Sequence, residues 1–126
     1  MNLRRLLAQL LSSYLLIWAP GTFALELLAT LPTLGMRGPS GWLELAVHGA
    51  AAMFCAVAGR MLRIGNPSAA AAAAIAVAVR AAVSLQPLFW TALPQDVAPG
   101  MRLPLALFAC GNGVFWLFVI RRISRP

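Results

Sequence analysis

The sequence predicts an all-α integral membrane protein, a bundle of four transmembrane helices forming one domain over residues 1–126, with both termini cytoplasmic. Three observations lead there. First, 61% of the 126 residues are apolar, only 10% are charged, and mean hydropathy is +0.82, against about 45–50% apolar and about 25% charged in an ordinary soluble domain. A soluble chain this short buries only part of its apolar surface, whereas a bilayer needs no such burial. Second, the apolar residues gather into runs near 6–31, 42–62, 67–90 and 102–120, and about 20 residues cross a hydrocarbon layer about 30 Å thick. Third, Arg4, Arg5, Arg60, Arg63, Arg121, Arg122 and Arg125 fall on one side of these runs, against Arg37 and Arg102 on the other. That bias places the Arg-rich ends in the cytoplasm.

Helix one is expected over Leu6–Leu31, a run too long for the core of a signal peptide, which also has a basic start. Glu26 interrupts the region in which signal cleavage would fall. Pro20-Gly21 lies inside the run and predicts a kink, because proline removes a backbone donor and crowds the preceding turn. A turn-rich connector is expected over Pro32–Gly41, with Ser40 as the cap of helix two. Trp42 marks a membrane interface.

Helix two, about 42–62, carries Glu44, His48, Ala51, Cys55 and Ala58 or Gly59 at three- and four-residue spacing, which puts them on one face. Small residues let helices approach closely in lipid, so this face is expected to turn inward. Gly65 suits the end of helix two, and Asn66-Pro67 the start of helix three. Helix three, about 67–90, opens on six alanines and carries Arg80 near its middle. Gln86-Pro87 loosens its far end. A connector over Thr91–Met101 contains Pro94, Asp96, Pro99 and Gly100, and helix four follows over about 102–120.

Arg80 is the residue around which the rest must arrange itself. The apolar side chains of helix three contribute roughly −2 to −4 kcal/mol to insertion, and a central Arg costs about 2.5–3.5 kcal/mol. The helix is therefore expected to be held by its neighbours, with Arg80 facing inward. Counting helical rise from the run ends puts Glu26, His48 and Asn112 within reach of its depth. These four residues, Glu26, His48, Arg80 and Asn112, form the expected polar cluster, serving either to bind a ligand or to hold the helices together through a Glu26–Arg80 ion pair. Ionisable groups inside a membrane are functional-site candidates by default.

Other chemistry has little support in the residues. Net charge is +7, from ten Arg against three acidic residues, but the Arg other than Arg80 sit at run ends, so no nucleic-acid partner is expected. Cys55 and Cys110 lie in separate apolar runs with no CxxC, and the single His48 offers neither a zinc set nor a pair of haem ligands. No cofactor and no metal are expected, and no catalytic residues are assigned. An intramembrane enzyme using Glu and His as acid and base lacks a nucleophile and ranks last. The chain resembles small multidrug exporters, fluoride channels and lipid-sugar flippase-like proteins in size and helix count only. The Arg-only, Ala-rich composition fits a GC-rich bacterial genome, and hence the inner membrane. Two functional expectations follow: an accessory or assembly subunit of a larger membrane-protein partner, or an oligomeric small transporter or channel using Glu26, His48 and Arg80 to bind an anion or relay protons.

Overall fold

Residues 3–30 form a continuous helical rod made of α1 (Leu3–Ser13), a π-helical turn (Tyr14–Trp18) and α2 (Ala19–Thr30). The computed structural model describes residues 2–91 and 98–124. Asn2 caps α1, its side chain accepting from the Arg4 backbone N–H at 3.1 Å. The π turn sits just before Pro20 and answers the missing donor there. The Ala19 N–H reaches back five residues to the Tyr14 carbonyl. Such turns recur at functional sites.

The connector expected over 32–41 is helical, except at one residue. A 3-10 turn (Leu31–Thr33) leads into α3 (Leu34–Arg63), which is broken only at Gly38, where φ is 67° and ψ is −157°. Glycine enters that region without strain, and Pro39 restarts the helix at the position that suits it. Ser40 therefore lies inside α3 rather than capping it. The chain reverses at this break. Leu15 and Leu16 meet Gly59, while Phe23 meets Gly49, so α1–α2 and the longer part of α3 run antiparallel.

The turn after α3 follows a known closing pattern: the Asn66 N–H bonds the Met61 carbonyl at 3.0 Å and the Gly65 N–H bonds that of Leu62 at 3.4 Å. Gly65 supplies the left-handed backbone, φ 74°, that this motif requires. Asn66 then receives the Ser68 N–H on its side chain at 2.8 Å, and α4 spans Ala69–Ser84. It starts two residues later than expected and stops six earlier, because Pro87 disfavours helix at the residue before it. A 3-10 turn (Gln86–Leu88) finishes the element. Pro94 and Asp96 of the expected connector, and Arg125, lie outside the described residues. A short turn (Pro99–Met101) opens α5 (Arg102–Ser124), four residues longer than the expected end at 120.

Among the described residues there is no strand. The dense core lies toward the end that holds Arg4 and Ile123, and includes Leu11, Tyr14, Leu15, Cys55, Val77, Val119 and Ile120. Cys55 is buried and Cys110 exposed. Arg4 Nε donates to the Ile123 carbonyl at 2.8 Å, joining α1 to α5. Outward surfaces are apolar: Ile17, Leu25, Met53, Phe108 and Phe118 are each about two-thirds exposed. Three helical stretches, Leu3–Arg63, Ala69–Leu88 and Arg102–Ser124, are long and apolar enough to cross a membrane.

The tightest glycine contact between separate helices is at Gly59, where an added Cβ would stand 2.7 Å from Leu16 Cγ and 3.2 Å from the Leu16 backbone nitrogen. Overpacking of this kind costs about 1–3 kcal/mol. Gly59→Val lowers the thermal unfolding midpoint of the purified protein. Gly111→Ala does not, because nothing lies within 4 Å of its Cβ position. An unchanged midpoint for Gly59→Val contradicts this packing.

Candidate functional site

Two polar groups border the dense core, and the second shares Tyr14 with it. The first runs across three elements. His48 on α3 places Nδ1 at 2.7 Å from Glu26 Oε1 and 2.9 Å from Glu26 Oε2, on α2. Its Nε2 stands 2.9 Å from Gln86 Oε1, in the turn after α4. Gln86 Nε2 donates to Glu44 Oε1 at 3.0 Å and also to the Trp90 carbonyl. Glu44 lies one turn before His48 and is 3.9 Å from Arg37 Nη1. Arg37 Nε in turn donates to Thr33 Oγ1 at 2.9 Å.

These contacts determine where protons sit. A backbone carbonyl only accepts, so the Gln86 amide must present its NH2 to Trp90 and Glu44 and its oxygen to His48. His48 Nε2 is then a donor. The Nδ1–Glu26 contact holds one proton, which makes the pair either imidazolium with carboxylate or imidazole with carboxylic acid.

The second group centres on Arg80 of α4. Its Nη2 donates to Thr22 Oγ1 at 3.0 Å, and its Cζ lies 5.6 Å from the centre of the Tyr14 ring, within cation–π range. Its Nε is buried and has no hydrogen-bond partner among the described residues. Among the described residues no carboxylate pairs with Arg80. The expected Glu26–Arg80 ion pair is therefore corrected: Glu26 turns both oxygens to His48. The reason is register. Thr22 and Glu26 are one turn apart on the same face of α2, and Arg80 meets that face at Thr22.

Asn112 stands apart from Glu26 and His48. Its Nδ2 donates to the Tyr14 hydroxyl at 2.8 Å, and its Oδ1 accepts from Trp116 Nε1 at 3.1 Å. Tyr14 and Trp116 stack with centroids 4.4 Å apart. Asn112 thus joins Arg80 only through Tyr14, which the π turn places. Thr22, Tyr14, Gln86 and Glu44 all belong to the site, yet none was an expected member. The spacing of Thr22 and Glu26 was the one usable signal. Gln86 reads as a helix breaker, and Glu44 as an interfacial carboxylate.

Two cavities meet at this site. One of about 310 Å³ is lined by Thr22, Phe23, Glu26, His48, Arg80 and Ser84. The other, of about 200 Å³, is lined by Glu26, Arg37, Glu44, His48, Gln86 and Thr91. Glu26, His48 and Pro87 are common to both walls. Among the described residues no three His, Cys, Asp or Glu side chains form a metal-holding group. Compared with family models, curated proteins and solved structures, the chain matches none of them.

His48 is the only histidine in the chain, so ¹⁵N-histidine labelling reports it alone. In lipid nanodiscs its Nε2 carries a proton at neutral pH and correlates with that hydrogen. An unprotonated Nε2 rules out the Gln86 arrangement described here.

Proposed function

We propose that the chain is a four-span protein of the bacterial inner membrane, with both termini cytoplasmic, and that it binds a small anion at Arg80 as part of a transport or channel function. In this reading the Leu3–Arg63 stretch crosses twice, folding back at Gly38. Its two arms, residues 3–30 and 39–63, each exceed the about 20 residues that a crossing needs. Arg4, Arg5, Arg60, Arg63, Arg121 and Arg122 gather at one end, which supports the orientation. A pathway through four helices is narrow, so a homodimer is the expected working form.

The observation that carries the anion reading is the unmatched charge of Arg80 beside a cavity. A guanidinium at mid-span is expensive, and it is retained at least cost when an opposite charge reaches it. Here the nearby carboxylates are engaged elsewhere: Glu26 with His48, Glu44 with Gln86 and Arg37. An anion entering the cavity supplies the missing partner. Its guanidinium geometry suits a carboxylate-, sulfonate- or phosphate-like group.

A second reading, an accessory subunit of a larger membrane complex, is supported by a cleft of about 410 Å³ between α5 and the end of α1 with the π turn that follows it. Leu10, Tyr14, Ile17, Trp18, Phe108 and Trp116 line it, as a seat for a partner's helix.

Replacing a buried charge by an apolar side chain of similar length often stabilises. Arg80→Met therefore raises the unfolding midpoint in nanodiscs. It also abolishes the stabilisation that nitrate, sulfate or methanesulfonate gives the wild type, which ligand linkage makes about 2.7 kcal/mol at a hundredfold excess over Kd. A destabilised Arg80→Met protein, with wild-type stability indifferent to all three anions, removes the anion reading. For the second reading, a stoichiometric partner co-purifies in mild detergent and is lost in Trp18→Ala. Its persistence in that variant counts against the cleft.

A further inference from the structure

We propose that the Glu26–His48 pair is a proton-dependent gate between the two cavities, and that Glu26 exchanges between His48 and Arg80, so that one proton and one anion are bound together. This rests on the reading of Arg80 as an anion site. The position of the pair is the first support. Glu26 and His48 form the wall shared by the cavity containing Arg80 and the one containing Arg37 and Glu44. Pro87 completes that shared wall.

The proton count is the second. With Gln86 held by Glu44 and the Trp90 carbonyl, His48 Nε2 donates to Gln86. The Nδ1–Glu26 contact then depends on a single proton. With that proton the pair is neutral and hydrogen-bonded. When the proton lost is the one on Nδ1, with Nε2–H kept on Gln86, an imidazole lone pair faces a carboxylate at 2.7–2.9 Å. That contact is repulsive and releases Glu26.

Its destination is the third. Helical side chains lean toward their helix N-terminus, which for Glu26 is the direction of Thr22. Arg80 already donates to Thr22 Oγ1, one turn back on the same face. Glu26 and Arg80 line one cavity, and the Glu26 side chain is 40% exposed, so space for the swing exists. Among the described residues the other charged groups on this side are Glu44 and Arg37 on α3, 3.9 Å apart, with Glu44 also held by Gln86, Arg80 on α4, and Arg102 at the start of α5, which donates to the Leu88 carbonyl.

The charges then balance as an exchange. With the pair protonated, the cavity carries the single positive charge of Arg80 and takes an anion. When the proton leaves Nδ1 or the Glu26 carboxyl for water in the second cavity, the freed carboxylate neutralises Arg80 and displaces the anion. Uptake runs the same steps backwards. Reciprocal linkage makes anion affinity fall as pH rises, by about tenfold per unit once the pair has lost its proton.

Proteoliposomes of the full chain, loaded with a pH-sensitive dye and clamped in membrane potential, test this with nitrate, sulfate and methanesulfonate, whose charges do not change from pH 5 to 9. An inward gradient of a bound anion acidifies the lumen in the wild type, with about one proton per anion. Glu26→Gln reduces that signal to the protein-free level, and any anion affinity it keeps is the same at pH 6 and pH 8. In the wild type, which needs no variant to fold, affinity falls between those pH values. Binding with no acidification and no pH dependence overturns the gate and leaves the anion site standing. Undiminished acidification in Glu26→Gln overturns the role of Glu26. No binding of any of the three anions overturns both.

Discussion

Arg80 carries a full positive charge into a packing of small apolar side chains, and the carboxylates around it are already committed. Among the described residues its guanidinium has one hydrogen-bond partner, the Thr22 hydroxyl, beside the face of Tyr14. That imbalance organises the neighbouring elements. The face of α2 that meets α4 must offer Thr22. The rod that begins at Leu3 must turn Tyr14 inward, which its π turn achieves. The face of α3 must keep Glu44 and His48 away from the guanidinium while leaving room beside it.

The molecule divides along its length as a result. At the end holding Arg4 and Ile123, alanines and glycine let backbones close up: Gly59 lies against Leu15 and Leu16, and Ala73 and Ala76 are fully buried. Close backbone approach is how helices gain contact where lipid offers no hydrophobic drive. At the other end Glu26, His48, Gln86 and Glu44 keep the helices apart with hydrogen bonds, and the cavities lie among them. Small-residue packing thus marks one end, and a network of polar side chains around two cavities the other.

Much of this was legible in the residues. Apolar runs interrupted by Arg predict helices of membrane length. The spacing of Ala51, Cys55 and Ala58 marks a buried face of α3, and all three are buried. Depth counting brings Glu26, His48 and Arg80 to one region, and they line one cavity. The connector over 32–41 misreads because Pro, Gly and Ser weigh against helix locally, whereas in the fold only Gly38 departs from it. Asn112 has the right height but the wrong azimuth, for depth says nothing about which way a side chain points around its helix.

The sequence by itself determined that the chain is helical, that it holds runs long and apolar enough to cross a membrane and that one arginine stands in the middle of such a run, because these depend on composition and on distances along a helix. Only the tertiary structure decided which acceptor each polar group takes. Glu26 pairs with His48 rather than Arg80, and Gln86 orients the imidazole, because such choices turn on helix rotation and on differences of one helical turn. A linear sequence does not encode those until the helices pack.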